Sequence, residues 1–121
     1  MLNLDTHIIL FSLADELTPR ERKLLSNDQW SISSIVIWEI AKLSMLGRIE
    51  LDLDHLELTR LLSGIQTFPI TVDVCRAIRT LDFRSDPADE IIAATSIVNG
   101  IPLVTRDARL RKSKIVPLAN D

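Results

Sequence analysis

The sequence predicts an α/β fold: a single domain with a central, mostly parallel β-sheet flanked by α-helices on both faces. Three observations carry this reading. Short apolar segments alternate with helical stretches along the chain, the pattern of parallel strands joined by crossover helices. The 121 residues, 46% of them hydrophobic, are enough to bury a core without staples. No repeat, low-complexity stretch or linker-like run interrupts them, and only three glycines are present, so one domain over 1–121 is expected.

Leu2 to Asp5 is short and apolar and reads as a buried first strand. Thr6 opens a helical stretch through about Leu13. Thr18-Pro19-Arg20-Glu21 combines a Thr cap, Pro at the first helical position and Glu three residues after the cap, so a capping box starts a helix running to about Ser26. Trp30 to Ser33 is a second strand, feeding a helix from about Ile35 to Leu46 that Gly47 closes. Asp54 is expected to cap a helix to about Ser63, followed by a short apolar strand near Pro69 to Val72. Asp73 then begins a helix ending near Leu81. Asp86-Pro87 starts the next, through Val98, with Asp86 as its side-chain cap and Asn99-Gly100 as its end. Ile101 to Thr105 is a strand and Ile115 to Leu118 a last short one. Trp30, Trp38 and Cys75 are expected in the core.

Composition narrows the classes of function. A single cysteine cannot form an internal disulfide, which fits a reducing interior. The N-terminal residues carry no basic region ahead of an apolar one, and no apolar run reaches the roughly 18–20 residues of a spanning helix. A soluble, cytoplasmic protein with no membrane partner is expected. The net charge of −3 argues against a simple electrostatic binder of nucleic acid, but not against an enzyme that gathers acids around a metal. No Gly-rich phosphate loop, Cys/His zinc spacing or Ser nucleophile elbow is present.

Ligands of open parallel sheets bind beyond the carboxyl ends of the strands. Asp5 ends the first strand, and Asp107 follows the Leu103-Val104-Thr105 strand by two residues. Asp89 lies in the first turn of the helix begun by Asp86-Pro87, where the helix dipole favours an anion. Glu39 sits in Ile35-Val36-Ile37-Trp38-Glu39-Ile40-Ala41, so apolar that a buried carboxylate there requires a partner. Gathered carboxylates repel one another unless a cation neutralises them, and hard Mg²⁺ or Mn²⁺ takes oxygen ligands of this kind. Each acid also has a plain structural reading. Asp5 and Asp107 suit helix caps, and Asp89 suits a first-turn acid; Glu39 has the weakest such alternative. Thr6 and Thr105 flank candidate ligands, placed to bond a carboxylate or to be satisfied locally. The segment Arg106 to Lys114 carries five cations, Arg106, Arg109, Arg111, Lys112 and Lys114, and reads either as a solvated turn or as a phosphate-contacting rim.

Four segments, taken together and in order, resemble the PIN-domain family: Leu4-Asp5-Thr6-His7, Ser33 to Ala41, Asp86 to Thr95, and Leu103-Val104-Thr105-Arg106-Asp107. More narrowly they resemble the VapC-type toxins of toxin–antitoxin pairs, over essentially the whole chain. The resemblance implies a Mg²⁺- or Mn²⁺-dependent endoribonuclease whose acidic quartet falls on Asp5, Glu39, Asp89 and Asp107, with Thr105 a polar companion. It also implies a homodimer, a cognate antitoxin protein that blocks the site, and tRNA or rRNA as substrate, cut to stop translation. One departure is Glu90, where many relatives carry Arg; it bears on substrate grip or metal affinity rather than on reaction type. Two other functions are compatible with the residues: a housekeeping nuclease of RNA maturation, and a non-catalytic module that binds RNA or protein.

Overall fold

The computed structural model describes residues 1–119. Each strand leads into one or two helices, and every strand pairing is parallel. In chain order the elements are β1 (Leu2–Leu4), α1 (Thr6–Leu13), α2 (Pro19–Ser26), β2 (Trp30–Ser33), α3 (Ser34–Met45) and α4 (Leu56–Ser63), followed by β3 (Gln66–Phe68) and α5 (Val72–Ala77). A 3₁₀ turn (Ile78–Thr80) then leads to α6 (Pro87–Asn99), β4 (Leu103–Val104) and α7 (Ala108–Arg111). The sheet order is β3-β2-β1-β4. The chain winds from β1 outward to β3, then returns across the sheet to lay β4 on the other side of β1. The direction of winding therefore switches between β1 and β4. Crevices form beyond the carboxyl ends of strands at such a switch.

All residues of β1 and β4 are buried, as expected for strands covered by helices on both faces. Leu2, Leu4, Ile32 and Leu103 from the strands meet Ile8 and Ile9 of α1, Val36 and Ile40 of α3, and Ile92 of α6 in one core. Asn3 is a buried polar residue at its centre, and its amide donates to Ile92 O (3.1 Å) and Ser96 Oγ (2.8 Å). That pair of bonds ties the central strand to α6, the helix that carries Asp89.

The capping box of α2 forms as read, with Glu21 N–H donating to Thr18 Oγ1 and Thr18 N–H to Glu21 Oε1. Gly47 and Gly100 follow α3 and α6 with positive φ, the left-handed conformation that glycine adopts without a Cβ clash.

Several expectations are corrected. The third strand is Gln66–Phe68, not Pro69 to Val72: Pro69 has no N–H to give a ladder, and the strand is an exposed edge whose residues lack an apolar signature. Helix α4 starts one residue later than an Asp54 cap implies. Asp54 N–H instead donates to Asp52 within the preceding turn, and His55 holds the cap position without a side-chain bond. Thr71 rather than Asp73 starts α5, its hydroxyl accepting from Val74 N–H. Of the strand expected at Ile115 to Leu118, only a single parallel bridge, Leu103 to Leu118, forms. Trp38 is 55% exposed and Cys75 is exposed, so neither is core. Val36 and Ile40 face inward four residues apart, and Trp38, midway between them, is carried to the outer face. Trp30 is half-buried, its indole N–H donating to Leu25 O at 2.7 Å.

Among the described residues, no helix is long and apolar enough to cross a membrane.

Candidate active site

Asp5 leaves β1 at the switch point and caps α1 with extended backbone (φ −65°, ψ 154°). Its carboxylate is almost fully buried, accepting from Thr6 N–H (2.7 Å) at Oδ1 and from Thr105 Oγ1 (2.6 Å) at Oδ2. The Thr105 hydroxyl also accepts from Asp107 N–H (3.0 Å), so one oxygen joins the ends of β1 and β4. Asp107 caps the short α7, its Oδ1 accepting from Arg109 N–H (2.9 Å) and Leu110 N–H (3.1 Å). Thr6, itself buried, donates its hydroxyl to Glu39 Oε1. That bond supplies the partner which the apolar setting of Glu39 demands. Asp89, in the first turn of α6, accepts from Ser85 Oγ (2.8 Å).

Burial pushes the Asp5 carboxyl above its ordinary value, and the bonds from Thr105 and Thr6 oppose the rise without cancelling it. Asp89 is pushed up to about 6, chiefly by burial, against the lowering effect of Ser85 and with added repulsion from Asp5, Glu39 and Asp107. Asp89 thus feels the charge of the other three acids expected from the sequence, and Asp5 that of Asp107. Both candidate threonines bond within the same group, Thr6 to Glu39 and Thr105 to Asp5.

The capping of α6 departs from expectation. Asp86 occupies the cap position, but its side chain makes no cap bond. Instead Ser85 N–H donates to Glu90 Oε2 (3.2 Å), while the Ser85 hydroxyl turns to Asp89. Ser85 carries no sequence signal of its own, because a serine before Asp-Pro reads as ordinary turn chemistry.

The basic segment divides. Arg109 and Lys112 line a cleft of about 700 Å³ together with Ser85, Asp86, Asp89 and Asp107. Arg106 is committed elsewhere: its guanidinium lies 3.8 Å from the Phe11 ring centroid and donates to both carboxylate oxygens of Glu21 (2.8 and 2.7 Å). Arg111 donates to Thr105 O (3.1 Å) and lines a separate hollow of about 280 Å³ with Thr18 and Glu21.

Among the described residues, no three His, Cys, Asp or Glu side chains are drawn together as a ready-made cage for an ion. The donor chemistry nevertheless fits a hard divalent cation. The four acids offer oxygen alone, and the repulsion that raises Asp89 is the penalty a cation relieves.

Fold and crevice together define a parallel α/β protein with carboxylates and hydroxyls assembled at its switch point. The chain belongs to the PIN-domain family, whose model matches residues 3–115. It is 37% identical to Ribonuclease VapC22 of Mycobacterium tuberculosis over 90 residues, which span 72% of this chain and 69% of that relative. Its fold is similar to that in the crystal structure of VapBC2 from Rickettsia felis bound to a promoter DNA fragment, with a TM-score of 0.74, 18% identity, and coverage of 99% of this chain and 98% of that one. It is also similar to FitAcB from Neisseria gonorrhoeae, with a TM-score of 0.67, 21% identity, and coverage of 99% and 97%.

Proposed function

We propose that this protein is a divalent-metal-dependent endoribonuclease, the toxin of a toxin–antitoxin pair. The observation that carries the proposal is the meeting of Asp5 and Asp107 on the Thr105 hydroxyl at the switch point of a PIN fold, with Glu39 tied to the neighbouring Thr6. The likeness to a ribonuclease supports the reaction, and the likeness of the fold to a toxin–antitoxin complex from Klebsiella pneumoniae supports an antitoxin partner.

In this reading Asp5, Glu39, Asp89 and Asp107 would hold Mg²⁺ or Mn²⁺, and the ion would supply Lewis acidity at the phosphodiester. Thr6 and Thr105 fix the carboxylates of Glu39 and Asp5 by donating to them. Arg109 and Lys112, on the wall of the cleft, contact substrate phosphates, positioning the strand without reading its bases. Arg106 and Arg111 lie outside that cleft and brace the site instead, through Glu21 and Thr105 O. The proposal extends to cytoplasmic action on tRNA or rRNA and to a homodimer.

Incubation with total RNA and Mg²⁺ or Mn²⁺ tests it. Metal-dependent fragments are expected, absent with EDTA and absent for Asp89→Asn. Intact RNA from folded, antitoxin-free protein with either metal counts against the nuclease.

A further inference from the structure

The loop at residues 82–86 is bonded to both elements that carry the last two acids. Toward α7 and the segment after it, Asp82 accepts from Ser113 Oγ (2.6 Å) and Lys114 N–H (2.8 Å). The Arg84 carbonyl accepts from Arg109 Nη1 (2.8 Å), and the N–H of Arg109 in turn donates to Asp107. Toward α6, Ser85 gives its hydroxyl to Asp89 and its N–H to Glu90. A continuous path therefore runs from Asp107 through Arg109, Arg84 and Ser85 to Asp89.

The pattern differs from ordinary helix capping. A capping hydroxyl accepts from the backbone N–H groups of the first turn. The Ser85 hydroxyl instead donates to the Asp89 carboxylate, which lines the cleft with Asp107. Glu90 holds the Ser85 main chain through an acceptor oxygen.

We propose that Ser85 is a positioning residue that fixes the Asp89 carboxylate for metal binding, and that Glu90 keeps Ser85 within reach of it. The inference rests on the metal-nuclease reading. An unrestrained Asp89 side chain has to be ordered by the ion itself, whereas one restrained by Ser85 is already ordered. Residues that orient a ligand from outside the coordination sphere commonly govern metal affinity about 10–100-fold.

Isothermal titration of purified, antitoxin-free protein with Mn²⁺ tests this, with circular dichroism melting to confirm that each variant is folded. Ser85→Ala is expected to weaken Mn²⁺ binding about tenfold, while Ser85→Thr, which keeps the hydroxyl, stays near wild type. Glu90→Ala and Glu90→Gln both lose the charge, but only the glutamine keeps an acceptor oxygen. Binding is expected to weaken for the alanine variant relative to the glutamine. A folded Ser85→Ala protein with the wild-type Kd overturns the inference and leaves the nuclease reading standing. If Ser85→Ala does not fold, equal affinities for the two Glu90 variants overturn it. A wild-type protein that takes up no Mn²⁺ removes the metal reading, and this inference with it.

Discussion

Asp89 shows how single residues carry opposed demands. Its carboxyl titrates at about 6 in the folded protein against an ordinary value of 3.8. Between those values the folded state keeps a proton that the unfolded chain gives up. The stabilisation is therefore full below about pH 4 and is lost as pH rises through about 6. Asp89→Asn removes this loss, so the metal-free variant should melt higher than wild type near neutral pH while cleaving no RNA. Thermal melts of both proteins across that pH range check the sign; a lower Tm for the variant near neutrality contradicts it. Thr105 offers a second test. Thr105→Val removes the donor to buried Asp5 and the acceptor for Asp107 N–H, for an expected loss of about 1–3 kcal/mol and of cleavage. Denaturant unfolding measures the stability loss. The four acids were legible in the sequence because each follows a strand or begins a helix, or, for Glu39, stands alone among apolar residues. Ser85 was not, since its identity matters only through a contact made in three dimensions. Trp38 and Cys75 misled for a related reason: an apolar side chain does not declare which face of a helix it occupies.

At the scale of elements, local chemistry was readable and edge structure was not. The α2 start was fixed by four consecutive residues, and its capping box formed as expected. Thr18→Ala should cost about 1 kcal/mol, readable as a shift in the denaturation midpoint at unchanged slope. The β3 strand, by contrast, is short and mostly exposed, and its place is set by pairing with Ser31 to Ser33 rather than by its own composition. The segment Ile115 to Leu118 behaves similarly, contributing a single bridge in place of a strand. Where the sequence names caps, it names them through residue type, but neither Asp54 nor Asp86 makes a capping bond, and Thr71 rather than Asp73 starts α5. Asn3 joins two elements that the sequence does not connect. Asn3→Ala should cost about 1–3 kcal/mol by breaking its bonds to α6, with the loss again read by denaturant unfolding.

Across the whole molecule, the alternation of strands and helices was enough to expect a parallel sheet, and the sheet order then locates the crevice between β1 and β4. If that crevice binds Mn²⁺, the ion stabilises the folded state by mass action, by about 2.7 kcal/mol at a hundredfold excess over Kd. Calorimetric scans with increasing Mn²⁺ should show a rising Tm for wild type and a much smaller rise for Asp89→Asn. The crevice draws on the first strand and on the strand that is laid down last, since Asp5 meets Thr105 across a hundred residues of sequence. During synthesis the early carboxylates emerge with their apolar surroundings exposed and without the hydroxyl that orders them. A chain made only as far as α6 therefore lacks both β4 and the hydroxyl that Asp5 accepts from, and the crevice cannot close until the residues through Thr105 have been made.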